Sequence, residues 1–268
     1  MSPTFTINEL MACVIAREIS DDDLVFVGVG TAGRPFTLAV GIPVAATRLA
    51  QLDHAPHASL YWGNLLGPDL GRMPAVWQQD AFTRWPCAAQ LTETSQKIDM
   101  LGRGRFDVSF ESAAQIDRFG NLNITRIDDE AGALHKRLIG CLAQPEHLAF
   151  VRKPIIVADL GRRTFVEAVD YVTSFGHQRN GVRRKYYALP GPGPQLCVTD
   201  KAVFDFSGAG GAMRLRSLHP GVTRDEVRAL MGFEVEASSD LTVTPEPSSE
   251  QLEVIRSQID PGHALLRA

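Results

Sequence analysis

Leu24-Val25-Phe26-Val27-Gly28-Val29-Gly30-Thr31-Ala32-Gly33 carries the first clear fold signal of the chain. Its first four residues are all apolar, so a strand built from them has no polar face to turn to water. Such a run suits a strand covered on both sides, as in a parallel sheet. The glycines that follow match G-x-G-x-x-G directly after a strand, a form in which backbone N–H groups and a helix terminus can approach a pyrophosphate. A dinucleotide site also wants a carboxylate at the end of the next strand. That strand, His57 to Trp62, leaves through Gly63-Asn64 without one, and Asp53, at the right separation, lies before it. The glycines are therefore read as a tight turn at the carboxyl edge of a sheet. Open α/β folds hold ligands at that edge, here near Gly28, Trp62 and Phe110.

On the N-terminal side, Thr6-Ile7-Asn8-Glu9 is a capping box, and Leu10, Met11, Val14 and Ile15 fall on one helical face up to Asp21-Asp22-Asp23. Thr31 to Val40 reads as loop, with a helix starting near Ile42-Pro43. Leu65 to Cys87, with Pro68, Pro74, Pro86, Trp77 and Trp85, reads as loop with short helical turns, and Gln90 to Leu101 as a helix. Phe106 to Phe110 is a strand, and Ile116 to Asn121 a turn in which Gly120 takes a positive φ. Pro154 to Ala158, Thr164 to Val172 and Leu196 to Thr199 read as extended. Two helices close the sequence, one opened by the capping box Thr223-Arg224-Asp225-Glu226 and one from Ser249 to Ile259. Helices and strands alternate early and strands dominate later, which predicts one α/β domain over residues 1–268 with a mixed sheet.

Composition narrows the function. The chain has 268 residues, 44% hydrophobic and 22% charged, with net charge −4. It can bury a sizeable core, and it lacks the basic field of a nucleic-acid binder. Cys13, Cys87, Cys141 and Cys197 are scattered, as free thiols of a reducing compartment are. The longest uncharged stretch, Phe36 to Thr47, is too short to cross a bilayer, and the N-terminus has no signal-peptide design. A cytoplasmic protein is expected.

Among the motifs, His54-Ala55-Pro56-His57 has no third ligand nearby and reads as a solvated turn. His135, His147, His177 and His219 stand in unrelated contexts, so no metal site is expected. No G-x-S-x-G elbow occurs. Arg179, Arg183, Arg184 and Lys185, beside Tyr186 and Tyr187, read either as a solvated loop or as a grip for phosphates.

Gly104-Arg105-Phe106-Asp107-Val108-Ser109-Phe110-Glu111-Ser112-Ala113-Ala114-Gln115-Ile116-Asp117-Arg118-Phe119-Gly120-Asn121-Leu122-Asn123-Ile124-Thr125 resembles a segment of class I coenzyme A transferase β subunits, of the glutaconate CoA-transferase kind. Thr164 to Ser174, Ser217 to Val222 and Pro245 to Ile255 resemble the same family in order and spacing, over most of the chain. The resemblance implies an open mixed or parallel sheet of the CoA-transferase and sugar-phosphate isomerase type. It implies an α-subunit partner, in a heterodimer or heterotetramer, and an acyl-CoA substrate of which coenzyme A is part, with no bound cofactor. The family's chemistry is covalent: a glutamate carboxylate attacks the thioester, giving an acyl anhydride and then a glutamyl-CoA thioester. Gly28, Gly30, Trp62, Gly63, Asn64, Gln115 and Asn121 are the residues expected at the substrate pocket.

The sequence departs from the family pattern at the nucleophile. In β subunits that carry it, the strand matching Ser59-Leu60-Tyr61 runs into a glutamate; here Trp62 follows, and an indole cannot form an anhydride. The glycine-rich stretch expected after the hairpin is thinned to Gly140-Cys141-Leu142-Ala143-Gln144-Pro145. Three readings stand. The chain shapes the pocket while the partner carries the glutamate, as in two-subunit steroid ring-opening CoA hydrolases. Alternatively Glu111 serves as nucleophile or base, against its reading as a surface or hairpin carboxylate. In the third reading the chain is a non-catalytic scaffold or regulatory subunit.

Overall fold

The capping box at Thr6 forms as its residues dictate: Glu9 N donates to Thr6 Oγ1 at 3.2 Å, and Thr6 N to Glu9 Oε2 at 2.6 Å. The computed structural model describes residues 5–28, 30, 32–74 and 84–267; Val29, Thr31 and Trp77 lie outside the described residues. The chain divides into two compact units, one of Met1–Met100, Arg105–Phe110 and Glu246–Ala268, the other of Leu101–Gly104 and Glu111–Pro245.

In the first unit, α1 (Ile7–Ala16) ends on Arg17, short of the three aspartates expected to end it. The apolar run becomes β1 (Leu24–Val27), buried along most of its length. The following helix starts earlier than the sequence suggested. Arg34–Phe36 is already helical, with Gly33 as cap and Pro35 in the first turn, so most of the supposed loop up to Val40 is helix. A π-turn, Thr37–Gly41, joins this to α2 (Ile42–Asp53). The wider turn sits directly before Pro43, whose nitrogen has no hydrogen to give. β2 (Ser59–Trp62) runs parallel to β1 in the register Val27↔Trp62.

The stretch read as loop after Leu65 is corrected in part. β3 (Leu65–Pro68) returns antiparallel to β2, and β4 (Cys87–Gln90) pairs with β3, Pro68 opposite Cys87. The prolines stand at strand ends, where no ladder donor is lost. Gln90 therefore belongs to a strand, and α3 starts only at Thr94 (Thr94–Gly102). β5 (Val108–Glu111) lies parallel to β1 on the side away from β2, in the register Phe26↔Ser109. Its last residue, Glu111, is counted with the second unit. A C-terminal helix, Ser249–Val254, passes into a second π-turn, Ile255–Ile259. There Arg256 holds Glu9 through two hydrogen bonds of 2.7 and 3.0 Å. Burial pushes the Glu9 carboxyl up, but Arg256 and the Thr6 amide outweigh it and leave the group below the usual range.

The second unit begins with two hairpins, β6 (Gln115–Ile116) with β7 (Leu122–Asn123) and β8 (Arg126–Asp128) with β9 (Leu134–Arg137). Gly120, in the first turn, has φ 71° as expected. After α4 (Gln144–Phe150) comes β10 (Lys153–Ala158), then a short hairpin of β11 (Gln178–Arg179) and β12 (Val182–Arg183). The remaining strands are β13 (Leu196–Thr199), β14 (Ala202–Asp205), β15 (Arg214–Leu218) and, after α5 (Arg224–Leu230), β16 (Glu236–Val243). β10 and β13 are parallel, β13, β14 and β15 antiparallel in turn, and β15 and β16 parallel. This is the mixed α/β arrangement the sequence predicted. Thr164 to Val172, expected as extended, forms no strand and makes one bridge, Phe165 to Ile116. The Thr164 and Phe165 amides turn back to Gly161 O, so they are not available for a ladder. Phe165 still packs in the unit's core with Leu122, Leu148, Ile156 and Phe204.

Candidate active site

The site is best built from the strand ends. β2 ends in Trp62, and Trp62 pairs with Leu65 across a two-residue turn, Gly63-Asn64. Gly63 has φ 65°, the left-handed conformation that such turns require. Trp62 is 1% exposed and meets Trp85 edge to face, ring centroids 5.6 Å apart. Trp85 is held in turn by its indole N–H, which donates to Asp69 O at 2.8 Å. On the other face of β2, Tyr61 stacks on Phe26 and meets Phe106 edge-on; burial pushes its phenol up to about 12. The end of β2 is thus filled with aromatic rings.

At the end of β1, the two glycines differ. A Cβ on Gly30, at φ 63°, would meet Val40 Cγ2 at 2.7 Å, so fold and backbone both demand glycine there. A Cβ on Gly28 would meet nothing within 4 Å among the described residues.

In the second unit, the stretches that resemble the family are bonded to one another. Leu122 N donates to Ser174 O and Thr173 N to Leu122 O, and Ile124 N donates to Thr173 Oγ1. Gln115 Nε2 donates to Asp170 Oδ2 at 3.0 Å, while Gln115 Oε1 accepts from Asp170 N and from Asn123 Nδ2. Asn121 Nδ2 donates to Asp117 Oδ2 and Gln178 O, and Asn121 Oδ1 accepts from Gly176 N. Both amides therefore lock segments some fifty residues apart in sequence. Burial pushes the Asp117 carboxyl up against the pull of the bonds it accepts from Asn121 and Phe119.

Glu111 is neither a surface nor a hairpin carboxylate. It is 3% exposed, and its Oε1 lies 2.9 Å from His147 Nδ1, itself 7% exposed. Three residues before His147 on α4, Gln144 donates to Ser112 O at 3.0 Å and accepts from Ser174 Oγ at 3.0 Å. The i, i+3 spacing puts both polar side chains on one helical face, and both reach the chain at the end of β5. In sequence His147 stands in an unrelated context; the spacing Gln144 to His147 on a helix is the signal that could have found it. A carboxylate and an imidazole buried together cost desolvation, and removing one partner of such a pair typically costs ~3–5 kcal/mol.

Other motif residues take structural posts. His219 contacts Thr244 Oγ1 through Nδ1 at 3.0 Å and Thr199 O through Nε2 at 2.8 Å; burial pushes its imidazole down. In the basic run, Arg179, Arg183 and Lys185 are exposed, but Arg184 is buried and corrects the reading of a solvated or phosphate-gripping residue. Its guanidinium donates to Gly191, Phe175, Gly176 and Leu148 carbonyls, and burial brings it down to about 10. His54 and His57 turn to different partners, Ile19 O and Asp21. Among the described residues, no group of three or more His, Cys, Asp and Glu is placed to hold a metal ion, and no helix is long and apolar enough to cross a membrane.

Comparison with known proteins agrees with this frame. The family model described as Coenzyme A transferase matches residues 8–230. The chain is 31% identical to the β-type subunit of 3-oxoadipate CoA-transferase of Pseudomonas knackmussii, covering 94% of this chain and 93% of that one. It is 30% identical to the cholesterol ring-cleaving hydrolase IpdB subunit of Rhodococcus jostii, over 82% of each. Its fold matches the crystal structure of glutaconate coenzyme A-transferase from Acidaminococcus fermentans with a TM-score of 0.80 at 25% identity, over 99% of this chain and 98% of that one. With the sequence motifs, the strand order and these matches in agreement, the chain belongs to the coenzyme A transferase family.

Proposed function

We propose that this chain is the β-type subunit of a heteromeric cytoplasmic enzyme that acts on an acyl-CoA thioester, and that an α-type partner carries the glutamate nucleophile. One observation carries this reading. Where the family resemblance calls for a glutamate, β2 ends in Trp62, sealed against Trp85. An indole has no lone pair to attack a thioester, and a packed one cannot make way for a neighbour that does. The names of the relatives support the division of labour, since they are subunits of CoA-transferases and of a ring-cleaving hydrolase.

In this reading the subunit contributes shape. Gly28 stands where its own chain leaves room beside the backbone, so a substrate can approach closely. Gly30 and the Gly63-Asn64 turn set the path of the loops beyond β1 and β2. Gln115 and Asn121 hold the hairpin frame of the second unit. Coenzyme A enters as part of the substrate. Leu134, Ile139 and Leu142, which point to solvent in the lone chain, favour a partner that covers them.

The test is co-expression with the α-type partner, then assays of each chain alone and of the complex with succinyl-, acetyl- and ring-containing CoA thioesters. Turnover should need both chains and should vanish when the partner's strand-end glutamate is changed to glutamine. Strong turnover by the lone chain would overturn the proposal.

A further inference from the structure

We propose that Glu111 and His147 form a proton-transfer pair, His147 being the positioning residue, and that the pair equips this subunit for attack by water on the acyl group. The inference rests on the functional reading above and deepens it, because it chooses between transfer and hydrolysis.

The geometry comes first. Glu111 is the last residue of β5, at the carboxyl end of a parallel strand, where open α/β folds place their ligands. Its carboxylate meets the His147 imidazole at 2.9 Å, both side chains almost wholly inside the protein. α4 fixes this spot twice: His147 holds the carboxylate, and Gln144 holds the backbone of the next residue, Ser112, while anchored to Ser174. Packing alone does not ask for these residues. Leu148, beside His147 in sequence, fills the core with an apolar side chain, and so could its neighbour at lower desolvation cost.

The chemistry follows from what the two possible reactions need. In coenzyme A transfer the attacking groups are carboxylates and a thiolate, already anionic, so no proton has to move. Hydrolysis differs. As the water oxygen bonds to the acyl carbon, a proton must leave it; as the C–S or C–C bond breaks, a proton must reach the departing sulfur or carbon. A carboxylate hydrogen-bonded to a neutral imidazole can take the first proton, becoming in effect an imidazolium–carboxylate pair without net charge, and return it in the second step. Such acid–base assistance is typically worth about 10²–10⁴-fold in rate. A buried carboxylate–imidazole pair is of no use to the anionic exchange, which is why its presence points to water as acceptor.

The experiment uses the α–β complex and compares water with hydroxylamine as the acceptor of the acyl group, since hydroxylamine attacks without a base. Glu111→Gln and His147→Ala should lower hydrolysis by about 100-fold and hydroxylamine-dependent turnover by less than about threefold, with KM unchanged. His147→Asn, which keeps a donor near Nδ1, should regain part of the hydrolysis. Combining Glu111→Gln with His147→Ala should add little to either alone, as expected of residues that act together. Parallel loss of both reactions in an intact complex would mark the pair as structural and overturn the inference alone, as would wild-type hydrolysis in Glu111→Gln. If His147→Ala does not assemble, the near-isosteric Glu111→Gln and His147→Asn carry the test. A wild-type complex inert toward every acyl-CoA thioester would overturn the functional reading and this inference with it.

Discussion

β2 and β5 both run parallel to β1, yet they end in opposite chemistries. β2 ends in an indole packed on a second indole, and β5 ends in a carboxylate held by an imidazole. The aromatic end is cheap to bury and chemically inert. The polar end is costly to bury and holds a group that can exchange a proton. In a family member that has lost its expected nucleophile, chemistry is to be sought at the strand end where the fold tolerates an expensive residue, not at the one it has filled.

If the end of β2 is core, its removal should hurt folding before it hurts binding. Trp62→Ala should destabilise the chain by ~3–5 kcal/mol through lost burial and the cavity left against Trp85, read by urea or thermal unfolding. A cost under ~1 kcal/mol would mean that the indole stands free as a pocket wall, and the contrast with β5 would fail.

Arg184 tests whether the second unit depends on buried polar groups generally. Arg184→Met should cost about 3 kcal/mol, because several carbonyls lose a charged donor at once, and Arg184→Lys should not restore it, since an ammonium cannot reach them in a planar fork. Asn121→Ala should cost about 2 kcal/mol by orphaning the groups it joins. It should leave KM for an acyl-CoA unchanged in the assembled enzyme; a raised KM would place Asn121 against the substrate.

Acidity probes the same contrast between buried and exposed polar groups. Burial pushes the imidazoles of His177 and His219 down, so the unfolded chain takes up their protons first. Stability should be flat above the unfolded histidine value near ~6.5 and fall as the pH drops below it, by at most about 1.4 kcal/mol per pH unit for each. Unfolding curves between pH 8 and 5 measure this, and His219→Gln should remove part of the slope. The smallest effect is expected at the surface. Asp21 is lowered and His57 raised by their mutual hydrogen bond. The pair helps only between those two titrations, losing its contribution as pH falls through the first or rises through the second. Being exposed, it should fade in high salt, and His57→Gln should be nearly silent in a melt.

Local signals were legible where one residue type has one use. The capping boxes at Thr6 and Thr223 formed as read, because a hydroxyl and a carboxylate three residues apart satisfy each other without help from the rest of the chain. β1 and β13 followed from their apolar runs. The prolines misled: Pro68 reads as loop, but at a strand end its missing N–H costs nothing, and Pro35 opens a helix well before the start expected at Ile42.

The family, and the vacancy in it, came from the residues alone: the string from Gly104 to Thr125 and the tryptophan at position 62 need no coordinates to be read. Which polar residues are partners was settled by the three-dimensional packing. Glu111 and His147 are thirty-six residues apart, and Gln115 and Asp170 fifty-five. No periodicity links such positions, because side-chain pairing across that distance depends on where α4 and the hairpins pack, and packing is a property of the whole core. Arg184 shows the same limit from the other side. In sequence it is one of four cations in a run; in the fold it is the one the core surrounds, because carbonyls from three separate segments converge on it at once.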